Sequence, residues 1–333
     1  MYDLVFGTRN ARGDWAPKDP PTIAPFYAFP PKPLAVLKWL PGYFLPWNLL
    51  FALSAALFWT FVVPPIDVLK TLSFGWMARL FVVNTVAVLL FYEAFEYRLY
   101  VQRAQGRRFK YNAKFPAEQP GKIFWFGSQA IEGRVRALLS GVPIWTAYEV
   151  LLLWCYANGI GNWINFSNHP FALALFALLA PALHETHFFL IHRFIHVEPL
   201  YKWVHSVHHN SVNPSPWSSL AMHPVEHLLY FSVALWSLVI PSHPVIAIYQ
   251  LHFAGFGAIP GHVGFEKMEL GENFGVDSHA YVHYLHHKYF EVNYADGLVP
   301  LDKLFGTWHD GSPEAESRRK ARMAKRTAAP PEL

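Results

Sequence analysis

The chain has 333 residues, of which 53% are hydrophobic and only 15% are charged, and its formal net charge is +4. Soluble domains carry about 25% charged residues, so the composition predicts that much of the surface faces lipid. The aromatic content of 17% suits both membrane interfaces and a lipid pocket. A single cysteine, Cys155, excludes an intrachain disulfide framework and argues against metal sites held by several thiolates.

The chain is predicted to divide into four regions. Residues 1–43 are rich in proline and are expected to be irregular, without the pattern of a cleavable signal peptide. Residues 44–160 should hold transmembrane helices and a basic loop, 161–310 a histidine-rich catalytic region, and 311–333 a basic, disordered tail. The tail lacks a nucleic-acid recognition fold, so no nucleic acid is expected as a partner, and a solvated or headgroup-facing tail is favoured.

Four apolar segments have about the length that crosses a bilayer. They are residues 46–64, 76–92, 142–160 and 171–191. A fifth apolar stretch, 228–249, is broken by prolines and is predicted to form two shorter or re-entrant pieces. The expected fold class is an all-α integral membrane protein with about four transmembrane helices in two hairpins and a cytoplasmic helical cap that holds a histidine-rich dimetal site.

The charges of the connecting loops predict the orientation in the membrane. Basic residues accumulate in the loop 98–136 and in the tail, whereas the connection 65–75 carries only Asp67 and Lys70. Cytoplasmic loops carry an excess of lysine and arginine, so both basic segments should be cytoplasmic. The histidine-rich segments follow even-numbered spans and should lie on the same side, in a bacterial inner membrane or the endoplasmic reticulum.

Most of the 18 histidines lie between His184 and His287, and several are grouped at helical spacing. The groups are His192/His196, His205/His208/His209 and His283/His286/His287. Residues i, i+3 and i+4 share one face of a helix, so each triplet is predicted to point one way. A lone buried histidine is more often a packed core residue, but a repeated HxxHH seldom arises from packing. Two triplets and a pair exceed one coordination sphere, which favours two metal ions.

A site made only of imidazoles suits iron, and also zinc, copper or nickel. A structural zinc would need only four ligands in a closed site, whereas this many histidines beside lipid fit a redox pair better. Iron ligated by imidazoles can activate O2. Cleaving an unactivated alkyl C–H bond requires such activation, because the carbon has no acidic proton.

Further motifs complete the pattern of a known family. They are Met222-His223-Pro224-Val225-Glu226, Gly261-His262-Val263-Gly264-Phe265-Glu266, Asn293-Tyr294 and Leu301-Asp302-Lys303-Leu304-Phe305-Gly306-Thr307. Together with HxxxH, HxxHH and a second HxxHH in this order, they make residues 180–310 resemble the sterol desaturase/fatty acid hydroxylase superfamily of integral-membrane di-iron enzymes. The spacing Tyr201-Lys202-x-x-His205 is similar to that of its sterol C-5 desaturase branch.

The resemblance implies ten metal ligands. They are His192, His196, His205, His208, His209, His223, His262, His283, His286 and His287. Glu185 lies two helical turns before His192, where the family often has Asp, and is expected to orient that ring by a hydrogen bond. Five histidines are left open as additional ligands, as groups behind the ligands or as packed core: His184, His187, His227, His252 and His279. His169, His243 and His309 are not expected to bind metal.

The function implied by the resemblance is an O2-dependent lipid hydroxylase or desaturase with two iron ions, which zinc can replace after overexpression. The substrate would be a membrane lipid: a sterol, a fatty acyl chain or a related isoprenoid or sphingoid. Hydroxylation and desaturation both stay open, because they use the same metal site. The sequence has no cytochrome b5, flavin or dinucleotide motif, so a separate ferredoxin or cytochrome b5-type donor with its reductase is expected.

Two other functional classes are alternatives. A histidine-rich transporter or a metal or proton relay would carry ionisable residues inside its spans and often inverted repeats, whereas these clusters mainly follow the spans. A membrane metal store would leave the His-Pro-x-Glu and LFGT segments unexplained. Metal content together with O2-dependent product formation discriminates among the three classes.

Overall fold

The computed structural model describes residues 2–116, 123–271 and 274–328 of the chain. Residues 117–122, which belong to the basic loop 98–136, lie outside the described residues. Most of the described chain is helical. The helices are α1 (Asp3–Phe6), α2 (Pro33–Phe44), α3 (Trp47–Phe61), α4 (Ile66–Leu69), α5 (Phe74–Glu96), α6 (Gln129–Arg136), α7 (Val142–Ala157), α8 (Pro170–Ile195), α9 (Ser206–His209), α10 (Pro224–Phe231), α11 (Trp236–Val239), α12 (Pro244–His262), α13 (Tyr281–Tyr289), α14 (Leu301–Leu304) and α15 (Pro313–Ala328).

The sequence predicted an all-α fold. The structure is mostly helical, but two small antiparallel sheets accompany the helices. In the first, β1 (Gly7–Arg9) pairs with β2 (Trp15–Pro17), and Gly7 lies opposite Pro17. In the second, β3 (Lys267–Glu269) pairs with β4 (Gly275–Asp277), and Lys267 lies opposite Asp277. Each is a hairpin of three-residue strands, and Met268 of β3 packs into the main hydrophobic core with the long helices.

Three helical segments are long and apolar enough to cross a membrane: Phe74–Val101, Gln129–Ala157 and Pro170–Ile195. The first includes a π-helical turn after α5, and the second joins α6 to α7 through another. A fourth candidate span is α2 together with α3, which are bent by 45° at the break between them. The break falls at Pro46, because proline has no N–H with which to continue the ladder of α2. The prediction of about four spans is confirmed as three to four candidates.

Helix α12 lies at the centre of the bundle. Fifteen of its 19 residues are buried, and it packs against α3, α5, α7 and α8. A Cβ at Gly255 would lie 2.2 Å from the Trp145 ring, so only glycine allows α7 and α12 to approach this closely. The candidate spans therefore all contact α12, and their predicted arrangement in two hairpins stays a prediction. Because α12 ends on His262, this packing fixes one functional side chain relative to all the spans.

Three local predictions can be compared with the structure. The break in the apolar stretch 228–249 is confirmed, because α11 ends at Val239 and α12 begins at Pro244. The prediction that residues 1–43 are irregular is wrong for α2, which begins at Pro33. Proline at the first position of a helix replaces an N–H that would have no partner there, so the proline-rich sequence starts this helix and does not prevent it.

The predicted disorder of the tail is wrong for residues 313–328, which form α15. Glu316 pairs with Arg319 at 2.8 Å and with Lys320 at 3.6 Å, and such pairs three and four residues apart support a helix. The Arg322 guanidinium also donates to the carbonyl oxygens of Gly306 and Glu291. The tail is thereby attached to the loops that follow α13.

Candidate metal centre

Nine of the ten predicted ligand histidines converge in two clusters. The first cluster consists of His192, His196, His205, His209 and His286, and the second of His208, His262, His283 and His287. Within each cluster, one ligand atom of every histidine lies within 4.8 Å of those of the others. All nine side chains are buried except His196, which is partly exposed. This density of imidazoles is what the sequence spacing predicted.

Four elements carry these side chains. The C-terminal end of α8 carries the HxxxH pair, and the π-helical turn 201–205 with α9 carries the first HxxHH. Helix α12 ends on His262, and α13 carries the second HxxHH. π-Helical turns are rare and are frequent at functional sites. Here His205 is the last residue of the turn. In a continuous α-helix leading into α9, its side chain would point in a different direction.

Each HxxHH segment divides its histidines between the two clusters. His205 and His209 belong to the first cluster, but His208 belongs to the second. On α13 the arrangement is reversed, since His283 and His287 belong to the second cluster and His286 to the first. Adjacent residues on a helix point about 100° apart. The prediction that each triplet points one way is therefore wrong for its middle histidine.

The distances between facing ring nitrogens test whether the residues fit metal ions. Nε2 of His262 lies 3.2 Å from Nε2 of His208, 3.0 Å from that of His283 and 3.2 Å from that of His287. A neutral imidazole has one N–H in total, so hydrogen bonds cannot satisfy all of these contacts. Metal–nitrogen bonds of about 2.1 Å at right angles would place neighbouring ligand atoms about 3.0 Å apart. The second cluster thus fits a metal ion, and the first has the same spacing of 3.0 to 3.2 Å.

Three rings are oriented by backbone carbonyl groups. The Nδ1–H donors and their acceptors are His192 with Tyr294 O at 2.9 Å, His286 with Val292 O at 2.6 Å and His262 with Ala258 O at 2.8 Å. A proton held on Nδ1 leaves the lone pair of Nε2 free and directed into the cluster. These bonds therefore set the tautomer that a metal ligand requires.

A buried carboxyl group orients a fourth ring. Nδ1 of His205 donates to Oε1 of Glu226 at 2.8 Å, and both side chains are buried. Burial raises the pKa of the Glu226 carboxyl group well above its usual range. The sequence singled out the His223-Pro-Val-Glu226 motif without assigning a role to its glutamate. Its contact with a ligand from an element 21 residues earlier is visible only in three dimensions.

Three further rings are held in the unprotonated form by their surroundings. Burial, reinforced by the neighbouring imidazoles, lowers the pKa of His208, His209 and His287 well below the usual range for histidine. Nδ1 of each of these three rings is buried without a hydrogen-bond partner among the described residues. Neutral rings are what metal binding needs, because a protonated imidazole has no lone pair to give.

Glu185 was predicted to orient the ring of His192, but it contacts the backbone of the loop after α13. Its carboxylate accepts the backbone N–H groups of residues 297–299 at 2.9 to 3.0 Å. The Nδ1 atom of His192 donates to Tyr294, so the predicted hydrogen bond from Glu185 to that ring is wrong. Glu185 instead holds the loop that begins at Tyr294. Its effect on His192 is indirect, through the position of that carbonyl group.

The same loop is held from its other side by Asp302. The two carboxylate oxygens accept the N–H groups of Tyr294 at 3.0 Å and of Ala295 at 2.7 Å. Asn293 adds bonds from its amide to the carbonyl groups of Val282 and His309. The Asn293-Tyr294 and LDKLFGT segments therefore act as supports for the ligands on α8 and α13.

The structure does not bring His223 to either cluster. Its ring caps α10 by accepting the N–H of Val225 at 3.2 Å, which contradicts its predicted role as a ligand. The histidines left open also lie outside both clusters. They are His187, hydrogen-bonded with Leu229 O and Ser232 Oγ, His227 with Ser140 Oγ, His252 with Ser54 Oγ, His279 in a left-handed backbone conformation, and His184.

Two adjoining cavities lie beside the second cluster. The smaller, of about 90 Å³, lies against His208, His262 and His283. The larger, of about 310 Å³, extends towards the bend between α2 and α3, where Trp39 and Trp47 line it. Both cavities share five lining residues: His184, Phe253, Gly257, Gly261 and Asp296. No substrate-binding region could be predicted from the sequence, since these residues come from three distant segments.

Comparison with known proteins agrees with this geometry. The fatty acid hydroxylase family model matches residues 174–307, the range that contains all nine clustered histidines. A Delta(7)-sterol 5(6)-desaturase of Gibberella zeae is 28% identical over 45% of this chain and 40% of its own length. One of Saccharomyces cerevisiae is 31% identical over 36% and 32%, and one of Aspergillus fumigatus is 27% identical over 67% and 72%.

The similarity is concentrated in the histidine-rich part of the chain. The chain spans less than half the length of the first two relatives it matches, at 40% and 42%. No solved structure matches it. The matched region nevertheless carries both clusters and the loop that supports them. Residues 174–307 are thus similar to the sterol desaturase/fatty acid hydroxylase superfamily.

Proposed function

We propose that this protein is an integral-membrane oxidoreductase that uses O2 and two iron ions to hydroxylate or desaturate a membrane lipid. The observation that supports the proposal is the pair of histidine clusters beside a cavity that adjoins a larger one lined by the apolar helices α2 and α3. When bound, iron would supply the activation of O2 that breaking an unactivated C–H bond requires. The residues of the chain hold the ions, orient the substrate and exclude water.

Four of the nine rings that would hold the ions have their second nitrogen already engaged. His205 is fixed by Glu226, and three other rings are fixed by backbone carbonyl groups. Phe188 stacks on His192 with ring centroids 4.6 Å apart, which keeps one face of that ring dry. Such support lets the ligands keep their geometry while the charge on the ions changes.

The substrate would enter sideways from the membrane. Helix α2 has no buried residue, and its Trp39 and Tyr43 are aromatic side chains of the kind found at membrane interfaces. The larger cavity opens between these residues and α8, so a lipid can pass from the bilayer to the second cluster without crossing water. The named relatives are sterol desaturases, which makes a sterol the first substrate to test.

Electrons would come from a separate ferredoxin or cytochrome b5-type protein with its reductase on the cytoplasmic side. Two groups of basic side chains are exposed. The segment after α5 includes Arg107 and Lys114, and α15 includes Arg318 and Lys320. A positive surface raises the association rate of an acidic donor, and the rate falls with salt.

The test compares lipids from cells that produce the protein with lipids from cells that produce the His286→Ala variant. Mass spectrometry after growth with ¹⁸O2 should show a lipid with an added labelled hydroxyl group, or a lipid lacking two hydrogens, only with the intact protein. The purified protein should hold about two iron ions per chain, or zinc after overexpression. Identical lipids in both cultures, with both metal ions and a competent donor present, would contradict the proposal.

A further inference from the structure

The two cavities adjoin along a shared wall that includes two polar side chains. We define the throat as the five residues shared by both cavities: His184, Phe253, Gly257, Gly261 and Asp296. Two of them are glycines four residues apart on α12, and a Cβ at Gly261 would meet nothing within 4 Å. Residues i and i+4 share a helix face, so beyond Phe253 this face of α12 carries no side chain at the throat. At Gly261 the throat has room for a side chain.

The carboxyl group of Asp296 faces the throat. Its side chain is 51% exposed, although residues 292–295 and Gly297 around it are buried. Because Asp296 lines both cavities, this exposure is to the throat. Its Oδ1 atom lies 3.3 Å from Nδ1 of His283, on the side of that ring away from His262. The carboxyl group is thus next to the second cluster and is free to accept a further hydrogen bond.

His184 is the second polar group of the throat. Its ring is buried against Phe253 and Tyr230, with ring centroids 4.9 and 5.6 Å away. Within the described part of the chain it makes no hydrogen bond, and its Nδ1 is buried without a partner. Buried polar atoms normally have a partner, so a ring left this way beside a cavity points to a ligand that supplies one.

The charge of the lining excludes one class of lipid. Glu185, Glu226 and Asp296 line the cavities, whereas no lysine or arginine lines either of them in the described ranges. A carboxylate headgroup at the throat would bring a second negative charge next to Asp296, which is unfavourable. A hydroxyl group is neutral and can both donate and accept.

We propose that the throat binds the hydroxyl group of a neutral lipid alcohol, with the hydroxyl donating to Asp296 and hydrogen-bonded with the ring of His184. The inference rests on the proposed function and narrows its substrate class, from any membrane lipid to lipid alcohols, and it excludes free fatty acids. It also places the hydroxyl-bearing end of the substrate beside His283, with the apolar remainder in the larger cavity.

The experiment measures binding of a tritiated Δ7-sterol to the full-length, metal-loaded protein in nanodiscs. Unlabelled competitors are the same sterol, its methyl ether and stearate. A hydrogen bond to a charged acceptor contributes about 1.5–3 kcal/mol, so the ether should compete roughly 10-fold to 100-fold more weakly than the free sterol. Stearate should compete no better than the ether.

Variants assign the preference to the throat. Asp296→Leu should weaken sterol binding by about tenfold or more and leave the ether unchanged, while Asp296→Asn, which keeps an acceptor, should fall between. Gly261→Leu should block both ligands, since its side chain would enter the throat. Asp67→Asn, outside both cavities, is the control. The metal content of each sample shows whether weaker sterol binding comes from the loss of Asp296 itself or from a displaced His283. If Asp296→Leu does not fold, Asp296→Asn replaces it in the comparison.

Four results would each overturn the inference. They are equal competition by the ether and the free sterol, tighter binding of stearate than of the sterol, an unchanged preference in the Asp296 variants, and no binding of any probe. Its failure is distinguishable from failure of the proposed function. If the protein prefers the alcohol but oxidises no lipid, the assignment of the throat holds and the proposed oxidoreductase function is wrong. If it oxidises lipids but shows no preference for a hydroxyl group, the proposed function holds and the assignment of the throat is wrong.

Discussion

Glu226 and His205 form a buried pair in which the ring Nδ1 donates to the carboxylate Oε1 at 2.8 Å. The other carboxylate oxygen of Glu226 has no hydrogen-bond partner among the described residues. The glutamate therefore depends on this one contact, and His205 depends on it for its orientation towards the first cluster.

Replacing Glu226 should weaken the first cluster. We expect Glu226→Ala to lower metal affinity or turnover by roughly 10-fold to 100-fold, as is typical when a group behind a metal ligand is lost. Glu226→Gln keeps an acceptor for the imidazole and should lose less. Elemental analysis after dialysis against a graded series of chelator concentrations measures the change. The exposed Glu314→Ala is the control, and metal retention by Glu226→Ala equal to that of Glu314→Ala would refute the role.

The division of ligands can be tested with three single histidine variants. His286→Ala removes a ligand from the first cluster and His208→Ala one from the second, so each should abolish activity and leave well under two metal ions per chain. His223→Ala should retain both ions, because its ring caps α10 and lies outside the clusters. Metal loss in the His223 variant that matched the other two would restore this residue as a ligand.

Glu185→Gln should reduce stability more than metal binding. The carboxylate accepts three backbone N–H groups, and an amide with a single oxygen leaves at least one of them unpaired. A buried donor without a partner costs about 1–3 kcal/mol. We expect a lower melting temperature in detergent, with metal retained better than in Glu226→Ala. An unchanged melting temperature would show that Asp302 alone holds the loop.

Lys110 should make stability depend on pH. Its side chain is fully buried among the rings of Tyr100, Phe115 and Phe265, and its nearest acceptor is Asn213 Oδ1 at 3.4 Å. Burial lowers the pKa of Lys110 to about 7, whereas an unfolded chain holds that proton up to about pH 10. Between these values the unfolded state binds more protons, so stability should rise with pH across this window.

The matching variant is Lys110→Met. Below pH 7 both states of the wild type are protonated and the cost of the buried charge is fully present, so the variant should melt higher there. The difference should shrink towards pH 10. Lys114→Met, at an exposed position four residues later, should show neither effect. A variant that melts lower than the wild type at pH 7 would mean that the three aromatic rings stabilise the ammonium group.

Orientation in the membrane can be mapped with single cysteines. In a Cys155→Ala background, Lys114→Cys and Lys70→Cys place thiols at exposed positions on the basic loop and on the opposite connection. A membrane-impermeant maleimide should label position 70 from the outer or lumenal face and position 114 only from the cytoplasmic face. The reverse pattern would overturn the orientation and the cytoplasmic electron donor together.

The motifs allowed the candidate ligands to be predicted, but not how these histidines are divided between the two clusters. HxxHH spacing on a helix is a local property, and nine of the ten predicted residues do converge. Which cluster each ring joins depends on how α9 and α13 are rotated against the ends of α8 and α12, which spacing does not determine. Glu185 was singled out correctly and given the wrong partner, because its acceptor role involves a loop more than 100 residues later.

Features without a local pattern were not predicted. The throat combines side chains from α8, α12 and the loop after α13, and nothing near Asp296 in the sequence marks it as facing a cavity. Helices α2 and α15 were missed for a different reason. Their sequences are rich in proline or in charge, and contacts with the rest of the protein, together with ion pairs, stabilise them.

The sharing of α9 and α13 between the clusters has a consequence for how the protein is loaded. An ion in either cluster must order both elements, so the conformational entropy lost on binding the first ion need not be lost again for the second. Loading should therefore be cooperative. As metal is added to the empty protein, molecules with one ion should be scarce at every stage, and native mass spectrometry should show mainly empty and doubly loaded chains.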